Sequence, residues 1–311
     1  MCESSIVVSV IIPSYNYGAY ISDALKSLQA QSFRFWEALV IDDGSSDDTA
    51  SVVGGFVESD CRIRYFYQVN AGTSAAKNTG LKLSVGKYIV FLDADDLFAA
   101  DKLRLHVDHL ERSPHVDISF SRFRYFLDGQ PDRLFTRYDL SSQQEWQVAV
   151  QGGYRETIPV FMRENNMTIH APMLRRSLVQ RVGFFDVRLS ALEDWDYWLR
   201  CCLCDAYFEL LGSDGAFALT RVHARSVTRN LSFSIYKDLV YFKVRESLSD
   251  LIGYDDGRLY MVVLSELLRQ ERKRNRKSRR FFKLAIGNLF FKLGWRARVL
   301  LVFKLLFAAK S

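Results

Sequence analysis

Cysteine is scarce and unpatterned in this chain. There are five in 311 residues, with Cys2 and Cys61 isolated and Cys201, Cys202 and Cys204 clustered. An odd count without matching Cys or His spacing argues against a disulfide framework or a zinc site, and small thiols grouped on one helix read as packing residues. Internal repeats and low-complexity linkers are absent. So is a glycine-rich basic loop that would hold a triphosphate, which counts against nucleotidyl transfer. The opening residues, MCESSIVVSV, lack the basic region of an export signal and lead directly into a strand, so the expected location is the cytoplasm.

The charge is divided sharply along the chain. Residues 272–311 carry 13 Lys and Arg and no acidic residue, leaving 29 basic against 36 acidic residues before them. The body is therefore net negative and offers no groove for nucleic acid. The tail begins RKRNRKSRR and continues with Phe, Leu and Trp among further basic residues. No uncharged run in it approaches the roughly 20 residues of a spanning helix. Its composition suits an anionic membrane surface, where each basic residue near the headgroups contributes about 1 kcal/mol. The alternative is a helix pair packed on the body or on a second subunit of a homo-oligomer. The expected organisation is one catalytic domain over 1–230, divided at residue 97 into a first half and a second half (98–230). A helical extension over 231–270 and the basic, apolar tail over 271–311 follow.

Acidic turns at strand ends are the informative pattern. The stretch KYIVFLDADDL, Lys87 to Leu97, is an apolar strand that stops in Asp93, Asp95 and Asp96. Carboxylates this close ask for a cation, and hard oxygen ligands point to Mg²⁺ or Mn²⁺; a solvated turn in which Asp96 caps the next helix is the plainer reading. A second strand over 38–41 runs into Asp42, Asp43, Gly44, Ser45 and Ser46, and a third, Ile6 to Ile12, ends in Pro13, Ser14, Tyr15 and Asn16. Helical segments near 19–31 and 47–57 alternate with these strands, so an α/β fold with a mainly parallel sheet is expected. Parallel strands finish on one edge, where open α/β sheets bind ligands.

Four strings, VSVIIPSYN, VIDDGSSDDT, NAGTSAAKNTG and GKYIVFLDADD, followed by GFFDVRLSALEDWDYWLR, resemble in order and spacing the family 2 glycosyltransferases. That resemblance implies the GT-A fold, a Rossmann-like, mainly parallel sheet flanked by helices. It also implies an inverting transfer of a sugar from a nucleotide donor, a UDP-sugar, to a hydroxyl of a glycan or lipid-linked acceptor in surface polysaccharide synthesis. Its first half, 1–97, would bind the donor, and 98–230 the acceptor. Tyr15 would stack on the base, Pro13 would shape its turn, and Asp43 would accept from the ring N–H. Asp93 would face the ribose or the metal shell, and Asp95 would contact the metal. Lys77 stands where the family often carries Arg; it keeps a charge for phosphate but lacks the bidentate fork.

The resemblance assigns general-base work to Asp194, which would take the proton of the attacking hydroxyl. Glu193 beside it would raise proton affinity by like-charge repulsion or hold an acceptor hydroxyl. His223, in RVHARSVTR, matches a position near the metal, where neutral imidazole can ligate Mn²⁺; a structural histidine is the competing reading. His170 would line a sugar pocket, and Arg175 and Arg176 would meet an anionic group or open a helix. A catalytically silent sugar-nucleotide-binding or scaffold protein at the membrane is the alternative function, against which the intact Asp95 and Asp194 speak.

Overall fold

The computed structural model describes residues 6–224. In chain order the strands are β1 (Val8–Ser14), β2 (Trp36–Asp42), β3 (Ile63–Tyr67), β4 (Tyr88–Phe91), β5 (Leu97–Phe98), β6 (Ile118–Ser121), β7 (Phe123–Leu127), β8 (Gln130–Phe135), β9 (Gln151–Gly152), β10 (Pro172–Arg175), β11 (Phe208–Leu211) and β12 (Ala218–Val222). The helices are α1 (Gly18–Gln29), α2 (Thr49–Ser59), α3 (Thr73–Leu83), α4 (Lys102–Arg112), α5 (Tyr154–Arg163), α6 (Arg176–Val182) and α7 (Glu193–Leu203). The expected helices at 231–270 and the tail at 271–311 lie outside the described residues.

β1 and β2 are buried at every position, as parallel strands covered on both faces must be. Alternation sends Val8, Val10 and Ile12 of β1 into one core layer and Ile11 into the other. α1 packs on the first layer through Ile21, Ala24, Leu25 and Leu28, the spacing of an amphipathic helix. Eight strands form the main sheet in the order β3-β2-β1-β4-β10-β6-β11-β9, and β5-β12-β7-β8 form a second sheet. β3, β2, β1 and β4 are parallel, while β10 runs antiparallel between β4 and β6. This is the α/β, mainly parallel arrangement that the strand and helix alternation predicts.

The register explains where the site must be. Ser14 pairs with Asp42, and Ile11 with Phe91, so Asp93 stands level with Pro13 at the carboxyl edge. In the second sheet β12 pairs with β5 and β7, which brings Arg221 and His223 beside the acidic turn that precedes β5. Two expectations are corrected. Asp96 caps no helix, because α4 begins at Lys102 with Asp101 at its N-cap position, and β5 intervenes. Cys61 is disulfide-bonded, whereas Cys201, Cys202 and Cys204 are free; Cys201 and Cys202 are buried packing residues of α7, but Cys204 is exposed just past its end. Among the described residues no helix is long and apolar enough to cross a membrane.

α3 lies close on β1, and Gly80 is the reason it can. A Cβ at this position would stand 2.3 Å from Ile11 Cγ2 in the core. Gly80→Ala should therefore destabilise the protein by about 1–3 kcal/mol through overpacking, despite the better helix propensity of alanine. Urea denaturation should show the midpoint falling with little change in slope.

Candidate active site

A cleft of about 1040 Å³ opens over the carboxyl edge of the main sheet. Pro13, Tyr15, Asp43, Lys77, Asp93, Asp95, Glu193 and Asp194 all line it, so residues distant in sequence are brought to one cavity. His223 joins them through Asp95, with Nε2 2.9 Å from Oδ2. Its ring sits against Tyr20, with centroids 4.4 Å apart.

At one end Tyr15 is 48% exposed and presents its ring to the cleft. Asp43 is buried and already engaged. Its Oδ1 accepts from Gln68 Nε2 and the Ala71 N–H, and its Oδ2 accepts from the Gly72 N–H at 2.8 Å. Oδ2 thus retains capacity for one further donor.

The acidic turn is electrostatically loaded. Burial, with Asp95 and Glu193 nearby, pushes Asp93 up to about 6 although Lys77 pulls it down. Burial and the same crowding hold Asp96 well above the usual carboxylate range. Behind the turn His170 is buried and driven down to about 3 by desolvation and the charges of Lys102 and Lys77, so its imidazole is neutral. Its Nδ1 lies 3.2 Å from Asp96 Oδ2, yet makes no hydrogen bond. Asp93, Asp96 and His170 offer one ligand atom each within 4.8 Å of one another, and this donor set suits a divalent cation. Asp95 and His223 form a second oxygen and nitrogen pair on the same turn. A cation that also holds substrate phosphate has to face the cleft, and the Asp95 side chain is 15% exposed against 4% for Asp96. On this ground Asp95 is the better-placed of the two carboxylates.

Arg221, to which no sequence signal pointed, braces the turn. Its backbone N–H donates to Asp96 Oδ1 at 2.8 Å, and its guanidinium donates to the Asp95 carbonyl, Asp128 and Asp23. Arg175 and Arg176 have no such place. Arg175 donates to the carbonyls of Val116, Leu110 and Ser113, and Arg176 to the carbonyl of Gly86, so both tie the scaffold and neither contacts the cleft.

On the facing wall α7 opens with Glu193 and Asp194, as the Glu-Asp pair predicts. Leu192 precedes them in the left-handed conformation, φ 60°. Asp194 accepts from the Trp195 N–H through Oδ1 and from Asn165 Nδ2 through Oδ2 at 2.9 Å. Burial first and Glu193 second raise its carboxyl to about 7. Glu193 is ion-paired with Lys77 at 2.6 Å. α3 supplies two further ties to this wall: Ser74 Oγ donates to the Leu189 carbonyl, and Asn78 exchanges two hydrogen bonds with the backbone of Phe185. Asn165 carries no motif in the sequence; only the fold brings it to the carboxylate.

The profile of Glycosyl transferase family 2 matches residues 9–183. The chain belongs to this family. An uncharacterized glycosyltransferase of Rickettsia felis is 44% identical over 109 residues, covering 35% of this chain and 18% of the relative. The chain thus spans about a fifth of the length of that relative. An uncharacterized glycosyltransferase of Haemophilus influenzae is 28% identical over 245 residues, 78% of this chain and 90% of the relative. The putative teichuronic acid biosynthesis glycosyltransferase TuaG of Bacillus subtilis is 38% identical over 130 residues, 40% and 50% of the two chains. Among solved structures, S. aureus TarS 1-349 in complex with UDP-GlcNAc superimposes with a TM-score of 0.72 at 18% identity, covering 94% of this chain and 83% of that one. The GT-A fold is shared with it. The family 2 strings fall on the turns that build the cleft.

The two imidazoles of this family 2 site are separable by experiment. Mn²⁺ should raise the melting temperature of the wild type and of His170→Gln, but not of His223→Ala. The reverse pattern in a thermal-shift titration would put the ion on Asp93, Asp96 and His170.

Proposed function

We propose that this chain is a metal-dependent inverting glycosyltransferase. It moves a sugar from a nucleotide donor, a UDP-sugar, to a hydroxyl of a glycan or lipid-linked acceptor in surface polysaccharide synthesis. The observation that carries this reading is Asp194. It is a half-buried carboxylate raised to about 7, held by Asn165 and the Trp195 N–H in the same cleft as the acidic turn. A base poised near the working pH transfers protons best.

The chemistry follows from these positions. Tyr15 stacks on the base with Pro13 shaping the turn, Asp43 accepts from the ring N–H with its remaining lone pair, and Asp93 faces the ribose. Asp95 and His223 would hold Mn²⁺ or Mg²⁺, which when bound would offset charge on the diphosphate as a Lewis acid. Asp194 takes the acceptor hydroxyl's proton as that oxygen bonds to the anomeric carbon from the face opposite the diphosphate. The bond from the anomeric carbon to the diphosphate oxygen breaks with its electron pair, and the products are an inverted glycoside and the nucleoside diphosphate. UDP as the donor's nucleotide draws on the UDP-GlcNAc in the TarS structure, and the polysaccharide setting draws on TuaG. A silent scaffold would have no use for an ionisable carboxylate held by two donors opposite an acidic turn.

Asp194→Asn keeps the shape and removes the proton acceptor. Nucleotide binding should persist while transfer falls by about 10²- to 10⁴-fold. In the wild type, activity should require the ionised form, rising through pH 7 and falling about tenfold per unit below it. Initial rates across a panel of nucleotide sugars between pH 5 and 9 check both, and near-wild-type turnover by the variant would place the base elsewhere.

The 271–311 tail supports a site of action at the cytoplasmic face of the membrane, because its 13 basic residues stand among aromatics and leucines that a purely soluble tail would not require. Truncation after Gln270 should abolish sedimentation with anionic vesicles while nucleotide binding survives, and binding by the full chain should weaken as salt rises. If truncation lowers the melting temperature or dissociates an oligomer and leaves vesicle binding unchanged, the tail packs on protein.

A further inference from the structure

We propose that Lys77 is a positioning residue for the base and not a ligand of the donor phosphates. It holds Glu193 as a closed ion pair, which leaves Asp194 as the carboxylate that takes the proton. The inference rests on the reading of Asp194 as general base.

The geometry is specific. Lys77 is on the buried face of α3 between Ser74 and Asn78, and all three reach the segment from Phe185 to Glu193. Its ammonium lies 2.6 Å from Glu193 Oε1, with side chains 2% and 13% exposed, and 5.6 Å from the centre of the Phe185 ring. Attraction by Glu193, Asp93 and Asp194 outweighs burial and raises Lys77 above its ordinary value, so the cation persists. Reaching a diphosphate would break this buried pair and strand Glu193, a loss of several kcal/mol in comparable pairs.

The pair matters because Glu193 and Asp194 are adjacent carboxylates at one helix start. Two such groups share a proton unless one of them is neutralised. Lys77 neutralises Glu193 from α3. The other groups near Asp194 are Tyr125 of β7 and the amide of Asn165, neither of them cationic. Asp93, just beyond the end of β4, also attracts the Lys77 cation. One ammonium therefore interacts with the carboxylate of the acidic turn and with those at the start of α7, and sets how much negative charge Asp194 experiences.

The test does not depend on knowing the sugar. In protein labelled with ¹³C at aspartate, the Asp194 carboxyl can be assigned by its absence in Asp194→Asn and titrated directly. Lys77→Met should move its midpoint upward by roughly one pH unit, and Lys77→Met/Glu193→Gln should return it toward the wild-type value. Lys77→Arg should leave it near wild type. The double variant removes both charges together, so it also serves if the single variant folds poorly. Calorimetric titration of UDP with Mn²⁺ should change by no more than about twofold in Lys77→Met. An unmoved Asp194 together with a tenfold loss of UDP affinity would make Lys77 a donor ligand, and an unmoved Asp194 with unchanged affinity would reduce it to a structural tie; either overturns the proposal. An Asp194 that shifts as expected while Asp194→Asn retains turnover would keep the electrostatic relation and remove the base assignment.

Discussion

The site depends on one polar helix face buried where an apolar one would be ordinary. Ser74, Lys77 and Asn78 lie at the i, i+3, i+4 spacing that puts side chains on a common side, and each finds its partner in the segment that leads to α7. Buried polar groups are stable only when paired, and leaving one unsatisfied costs about 1–3 kcal/mol. The six-residue stretch over 73–78 therefore specifies the distance between the acidic turn on one wall and Asp194 on the other, and it does so on a rigid element packed through Gly80 onto β1.

Two charge regimes meet in this cleft. On the α3 side, cation and carboxylate are matched at 2.6 Å and largely withdrawn from water. At the acidic turn, Asp93 and Asp96 are crowded by Asp95 and desolvated, and the bracing guanidinium of Arg221 is spread over Asp23, Asp128 and the Asp95 carbonyl. The first regime defines geometry. The second keeps an unspent demand for positive charge where a diphosphate and its counter-ion would enter.

What the sequence revealed and what it hid divide along a physical line. Strands β1, β2 and β4 and their acidic ends are legible because buried parallel strands are apolar runs, and because the turn chemistry that follows each of them is local. The opening of α7 at Glu193 is legible for the same reason. Asn165 and Arg221 became functional candidates only through the fold, as did the place of His170 beside Asp96, since β10 enters the sheet antiparallel and β12 belongs to a second sheet; neither pairing leaves a periodic mark. Lys77 and Glu193 are both legible in their strings, yet the bond between them across 116 residues is not. Asp96 read as a helix cap because the short strand β5 behind it is only two residues long.

Leu192 deserves a reading beyond its place before α7. A left-handed conformation is natural for glycine and unfavourable by about 1–2 kcal/mol for a branched or bulky side chain. Leucine stands there nonetheless, and its side chain lines the cleft and packs against the main core. The same residue thus sets the direction in which the helix leaves the turn and supplies apolar wall to the cleft. Those two properties cannot drift apart by single substitutions: glycine would ease the backbone and open the wall, and a larger residue would fill the wall and aggravate the backbone. Change in what this wall admits is therefore expected to arise from the other cleft-lining segments around Tyr138 and Asn165, leaving position 192 as a fixed corner of the cleft.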